Sequence, residues 1–258
     1  PADTATLEAK TEGWIAALQL AVLSLEGRDD PTAFIEEFAG TGRYIVDYLV
    51  EEVLARLPDD LRQFLVATAA LRRMSAPLCD VVIREAGVSR SMLDRLERQN
   101  LFLVPLDTHR QWYRYHHLFA DVLLAHLDAE QAQALPAIHR RASAWFEANG
   151  ERAEAIHHAL AAQDHEWAAE LIERALPQVR KHRQEALFRT WMKDIPEAIV
   201  QSRPNLAVGY AGILVSLGAF GDVEERLRMA ETEGAKLEHP EALLAQVELY
   251  RTALAQVR

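Results

Sequence analysis

The 258-residue chain is half hydrophobic and about a quarter charged, carries a net charge of −11 and contains one cysteine. That composition excludes a disordered tail and an intrachain disulfide, and the acidic total argues against a whole surface built to displace counterions from nucleic-acid phosphates. No stretch approaches the ~20 apolar residues of a membrane-spanning helix, and the sparse glycine and proline favour long helices over many short strands.

The chain opens at Pro1, with no methionine or signal peptide, and Leu7, Trp14, Ile15 and Leu18 already show helical spacing. It reads as a piece of a longer, cytoplasmic protein. A helical stretch from about Thr6 to Leu25 is apolar nearly all round, which implies burial. Asp30-Pro31 restarts a helix as N-cap and first-turn proline. Ile45, Tyr48, Leu49 and Val53 give an amphipathic helix that Pro58 ends. The next helix should be capped by Asp59 or Asp60, with Gln63 closing a capping box and Leu61, Phe64, Leu65 and Thr68 buried. Ser75-Ala76-Pro77 opens a third helix with Leu78, Val81, Val82 and Ala86 inside and Gly87 closing it. Ser89 caps a fourth, with Met92, Leu93 and Leu96 inward.

The period then changes. Leu101 to Leu106 is a β-like run, Asp107 to Arg110 a turn, and Gln111-Trp112-Tyr113-Arg114-Tyr115 a returning strand. Leu118, Phe119, Val122, Leu123 and Leu127 resume helical spacing. Helices, a β-hairpin and a further helix are the order of a winged helix-turn-helix, with the helix from Ser89 to Gln99 in the position of a DNA-reading helix. Beyond Asp128 the pattern is helical throughout. Short turns such as Asn149-Gly150, Gln163-Asp164 and Gly218-Ala219-Phe220-Gly221 join the helices. The fold class is therefore mostly α: a winged-helix-like domain with a small β-hairpin, followed by an α-solenoid of degenerate tetratricopeptide-like helical hairpins without a clean repeat period.

Four segments, in order, carry a family likeness. Thr11 to Ala21, Tyr44 to Leu49, Asn100 to Asp107 and Trp112 to Asp121 resemble stretches of the MalT-like, LuxR-type large ATP-dependent transcriptional regulators, a family of signal-transduction ATPases. The resemblance covers roughly the first half in sequence and the second half only by its helical-repeat character. It implies that residues 1–28 end a helical domain following an upstream P-loop domain, 29–43 link, and 44–128 form the winged helix. Residues 129–175 would then be a helical arm and 176–258 the start of a repeat sensor for a small-molecule or protein inducer. It implies ATP or ADP bound in the longer protein rather than tightly by this region, DNA contact through a C-terminal helix-turn-helix beyond it, multimerisation on activation, and no membrane. In related switches a Met-His-Asp histidine contacts the β-phosphate of ADP. Tyr115-His116-His117-Leu118 matches in place, which makes His116 the candidate contact with its register against His117 open. A Gly-x-Pro motif packs on adenine in those relatives. Here it reads Gly13-Trp14-Ile15, without the proline, leaving Ile15 or Trp14 as apolar adenine contacts.

Each functional reading has a structural counterpart. His116 also fits a helix-capping or core histidine, and Cys79 a small core residue rather than a reactive thiol. Trp145, Phe146, Trp167, Phe188 and Trp191 fit inter-helix packing as well as a concave binding surface. His157 and His158 read as surface and inter-helix residues. The histidines make no dense metal motif. With no Gly-x-x-x-x-Gly-Lys-Ser/Thr, no Gly-x-Ser-x-Gly and no oriented Cys–His pair, neither catalysis nor a metal is expected. Arg90, Arg95 and Arg98 are interleaved with Asp94 and Glu97, which weakens a DNA-reading role. The function read from the sequence is a regulatory and signal-sensing central region coupling inducer binding to a nucleotide switch. The alternatives are a helical-repeat interaction scaffold and a winged-helix DNA-binding protein.

Overall fold

A computed structural model describes residues 57–99, 102–125 and 129–256, and the expectations for Gly13, Trp14, Ile15 and the helices before Leu57 fall outside them. The chain divides into two compact units at Leu135/Pro136. In the first, α1 (Asp59–Thr68), α2 (Ala76–Ile83) and α3 (Ser89–Arg98) precede β1 (Leu103–Pro105), β2 (Tyr113–Tyr115) and α4 (His117–Ala125). α1 packs on α2 and α4, and α3 on α2 and β1.

The apolar periodicity of α1 buries Leu61, Phe64, Leu65 and Thr68, as its spacing requires. Its expected capping box does not form. Pro58 is the N-cap, so Asp60 lies within the first turn. The Asp60 carboxylate accepts from the Leu61 amide at 2.8 Å and from Arg95 of α3 at 2.6 Å. α2 is shorter than expected. Arg84 adopts the left-handed conformation (φ 65°) and stops the helix before Gly87. Two turns bury only Leu78, Cys79 and Val82, so Val81, 41% exposed, and Ala86 face outward rather than inward. Ser89 is the first residue of α3 rather than its cap. The capping role passes to Asp80, whose carboxylate accepts from the backbone amides of Gly87 (2.8 Å) and Ser89 (2.9 Å). Burial raises the Asp80 carboxyl, but the bonds from Ser89 and Gly87 outweigh it and hold the group below the usual carboxylate value.

The wing is a two-stranded antiparallel sheet pairing Leu103 with Tyr115, Val104 with Arg114 and Pro105 with Tyr113. Met74 adds a single rung, exchanging both backbone bonds with Tyr113 at 2.7 and 2.8 Å. The tip is closed by Asp107, whose carboxylate accepts from the amides of Gln111 (3.2 Å) and Trp112 (2.7 Å). Beneath β2, the Thr68 hydroxyl lies 2.7 Å from the Phe64 carbonyl and 2.6 Å from the Tyr115 hydroxyl. The Thr68 hydroxyl donates to the carbonyl, so the Tyr115 hydroxyl donates to Thr68. Burial pushes the Tyr115 phenol well above its ordinary value.

The second unit is helical. After α5 (Ala129–Ala148) come α6 (Arg152–Ala161), α7 (His165–Lys181), α8 (Glu185–Met192), α9 (Glu197–Ser202), α10 (Pro204–Ser216), a 3-10 turn (Phe220–Asp222), α11 (Val223–Gly234) and α12 (Glu241–Ala255). α6 packs on α7, α7 on α8 and α10, and α10 on α11 and α12. α10 is buried on nearly every side. A Cβ at Gly209 would fall 2.3 Å from Leu176 of α7, and one at Gly212 2.6 Å from the Tyr250 ring of α12. Both helices therefore approach α10 closely where it lacks side chains. Phe146 and Phe188 are fully buried and Trp191 nearly so, and Trp145 and Trp167 are half-buried, so these aromatics serve inter-helix packing.

Replacing Thr68 by Val should leave the Tyr115 hydroxyl buried without its acceptor and cost ~1–3 kcal/mol. Adding Tyr115→Phe should recover most of that loss, and urea unfolding of the two single variants and the double variant reads the coupling.

Candidate functional site

Of the residues singled out for a ligand role, His116 and its neighbour His117 lie where β2 passes into α4. The His116 amide donates to the Phe102 carbonyl at 2.7 Å, which extends the strand pairing by one step. The His116 carbonyl accepts from the amides of Phe119 and Ala120, both at 3.0 Å, and so begins the helix. His116 thus couples wing to helix through its backbone, and the adjacent core fixes the junction. The Phe119 ring lies 4.4 Å from Phe102 and 5.8 Å, edge-on, from Tyr115.

The two histidines are separated by exposure. His116 is 5% exposed, whereas His117, the first residue of α4, is exposed. Their rings stack with centroids 4.6 Å apart. The free amides and dipole of a helix start favour an anion, and an imidazole N–H beside them adds a donor. Both histidines stand at such a start, and the exposed ring is the one at position 117.

The helix in the DNA-reading position holds its cations in internal pairs. Arg90 lies 3.3 Å from Asp94, Arg95 2.6 Å from Asp60, and Arg110 of the wing 3.0 Å from Glu97. The Arg98 guanidinium donates to the Asp94 carbonyl at 3.1 Å. A guanidinium committed to a neighbouring carboxylate must give up that bond before it can read a base edge. Cys79 is buried, and burial followed by the nearby Asp80 charge raises its thiol well above the ordinary value. That is the condition of an inert core residue.

A cluster that the sequence reading missed lies in the second unit. His139 of α5 and His158 of α6 face each other with Nδ1 atoms 2.8 Å apart. His158 is fully buried between α5 and α6, the inter-helix place read for it, and its ring stacks on Phe146 at 5.4 Å. His139 lies three residues before Ala142 and seven before Phe146, so the apolar stripe carried the signal. A polar residue on that stripe is easily read as a flank.

The comparisons bear on this geometry. Residues 50–135 match the MalT winged helix domain. The HTH-type transcriptional regulator MalT of Yersinia enterocolitica is 32% identical over 98% of this chain and 28% of its own length. MalT of Cronobacter sakazakii is 34% identical over 90% of this chain and 26% of its own length. The chain is MalT-like. The serine/threonine-protein kinase PknK of Mycobacterium tuberculosis (strain ATCC 25618 / H37Rv) is also similar, 34% identical over 95% of this chain and 22% of its own length. The MalT-like chain thus spans about a quarter of the length of these relatives. Its winged helix has the helix–hairpin–helix order the sequence predicted. Among the described residues, no helix is long and apolar enough to cross a membrane.

With the α3 arginines engaged, the MalT-like winged helix should bind random duplex DNA no more tightly than ~10⁻⁴ M at physiological salt. Fluorescence anisotropy across a salt series checks this, and a steep salt slope with tighter binding would contradict it.

Proposed function

We propose that this chain is the regulatory and signal-sensing central region of an ATP-dependent, LuxR-type transcriptional regulator, coupling inducer binding to a nucleotide switch. Support comes from the likeness to MalT across nearly the whole chain and from the histidine pair at the start of α4. The observation that carries the nucleotide part is this pair: donor-bearing rings at a helix N-terminus, on the segment that joins the wing to the rest of its domain.

In this reading an upstream P-loop domain of the same protein holds ATP or ADP. His116, or the exposed His117 beside it, contributes an N–H to the β-phosphate of ADP. Gly13, Trp14 and Ile15 would border the adenine. The region itself is not an enzyme. The helices of the second unit receive a small-molecule or protein inducer, the protein multimerises on activation in the cytoplasm, and DNA is met through a C-terminal helix-turn-helix. The inducer acts by differential affinity for open and closed forms, and one phosphate contact biases that equilibrium by ~1–3 kcal/mol. The similarity to PknK, a protein named as a kinase, fits a relay that can serve more than one output domain.

His116→Ala and His117→Ala in the full-length protein test the assignment. The variant that removes the phosphate contact should release ADP ~5–150-fold faster, as read by nucleotide retention on gel filtration, and raise basal transcription without inducer. Unchanged ADP retention in both single variants would overturn the phosphate role.

A further inference from the structure

We propose that His139 and His158 form a proton-gated clasp between α5 and α6, closed while their rings share a single Nδ1 proton and opened when both Nδ1 atoms are protonated.

The geometry sets the proton count. Two Nδ1 atoms 2.8 Å apart are at hydrogen-bond distance, so one carries a proton and the other presents a lone pair. In the neutral pair the accepting ring keeps its own proton on Nε2, and the donor ring's Nε2 is bare. A first added proton goes to that bare Nε2, and the Nδ1–H···Nδ1 bond survives as a charge-assisted one. A second added proton has only the accepting Nδ1 to bind. Two N–H groups then point at each other across 2.8 Å, and the rings must part.

The surroundings make that opening consequential. His158 is fully buried and its ring lies nearly parallel to Phe146, 9° between planes. One turn along α5, the Ser143 hydroxyl donates to the Ala155 carbonyl of α6 at 2.8 Å and accepts from the Trp167 indole of α7 at 2.9 Å. Displacing the rings therefore disturbs a junction of three helices. The charged groups placed beside the pair are His157, next to His158 on α6, whose charge acts on His139, and Arg140, next to His139 on α5. Arg140 is paired with Asp164 at 3.2 Å, and the His157 ring meets His158 edge-on at 5.2 Å.

Burial first, and the charge of His157 second, lower the His139 imidazole from 6.5 to about 4. The pair titrates as a unit, so its two proton-binding steps belong to both rings. An unfolded histidine takes its proton near 6.5, so between that pH and about 4 the unfolded chain binds more protons than the folded one. The clasp's contribution is complete above 6.5, declines as pH falls through this window, and declines no further below it.

The test uses the full chain. Tm is measured from pH 7.5 to 4.5 for the wild type and for His139→Phe, which fills the space without titrating, and imidazole nitrogen NMR is recorded over the same range. The wild type should lose roughly 2–4 °C more than His139→Phe across the window. NMR should show one shared Nδ1 proton and a second protonation displaced far below 6.5. Equal pH dependence of Tm in the two proteins would overturn the clasp. So would two rings titrating independently near 6.5 in the wild type, a result that decides the matter even if the variant does not fold.

Discussion

The first unit depends on β2. Of its three residues Tyr113 and Tyr115 are buried and Arg114 between them is half-buried, and each buried side chain is tied to a different element. Tyr115 donates to Thr68 of α1, while Tyr113 exchanges backbone bonds with Met74 and reaches Glu97 of α3 at 3.4 Å. A buried phenol is costly unless bonded, so the strand has one register, and the start of α4 is placed by it. The position of the histidine pair is thus a consequence of where two tyrosines can be satisfied.

Much of this fold was legible because it follows from periodicity. The burial of Leu61, Phe64 and Leu65, the shift to β spacing near residue 103 and the turns at Asn149-Gly150 and Gln163-Asp164 all follow from local pattern. The errors have a common physical origin. Asp60 and Ser89 are assigned in the sequence to the caps of their own helices, but a carboxylate goes to the strongest donors in space. For Asp60 that is Arg95, thirty-five positions away. For Asp80 it is the amides of the next turn. The length of α2 was misjudged because Arg84, not a glycine, takes the left-handed conformation.

The candidate site was legible only in part. The sequence placed the paired histidines at a strand-to-helix junction, and the structure distinguishes them by exposure, which no linear pattern encodes. The clasp in the second unit was invisible, since it joins residues nineteen apart on two helices. The arginines of α3 show the converse. Their interleaving with acids already suggested neutralisation, and the ion pairs give it a geometry.

The solitary thiol of Cys79 offers a last consequence. Because it lies in the interior of the winged helix, alkylating reagents reach it only when α2 separates from its neighbours. Its rate of modification therefore clocks the opening of that unit alone. Any ligand that tightens the winged helix would slow the labelling, and one that loosens it would hasten it, turning one buried sulfur into a native gauge of that unit's opening.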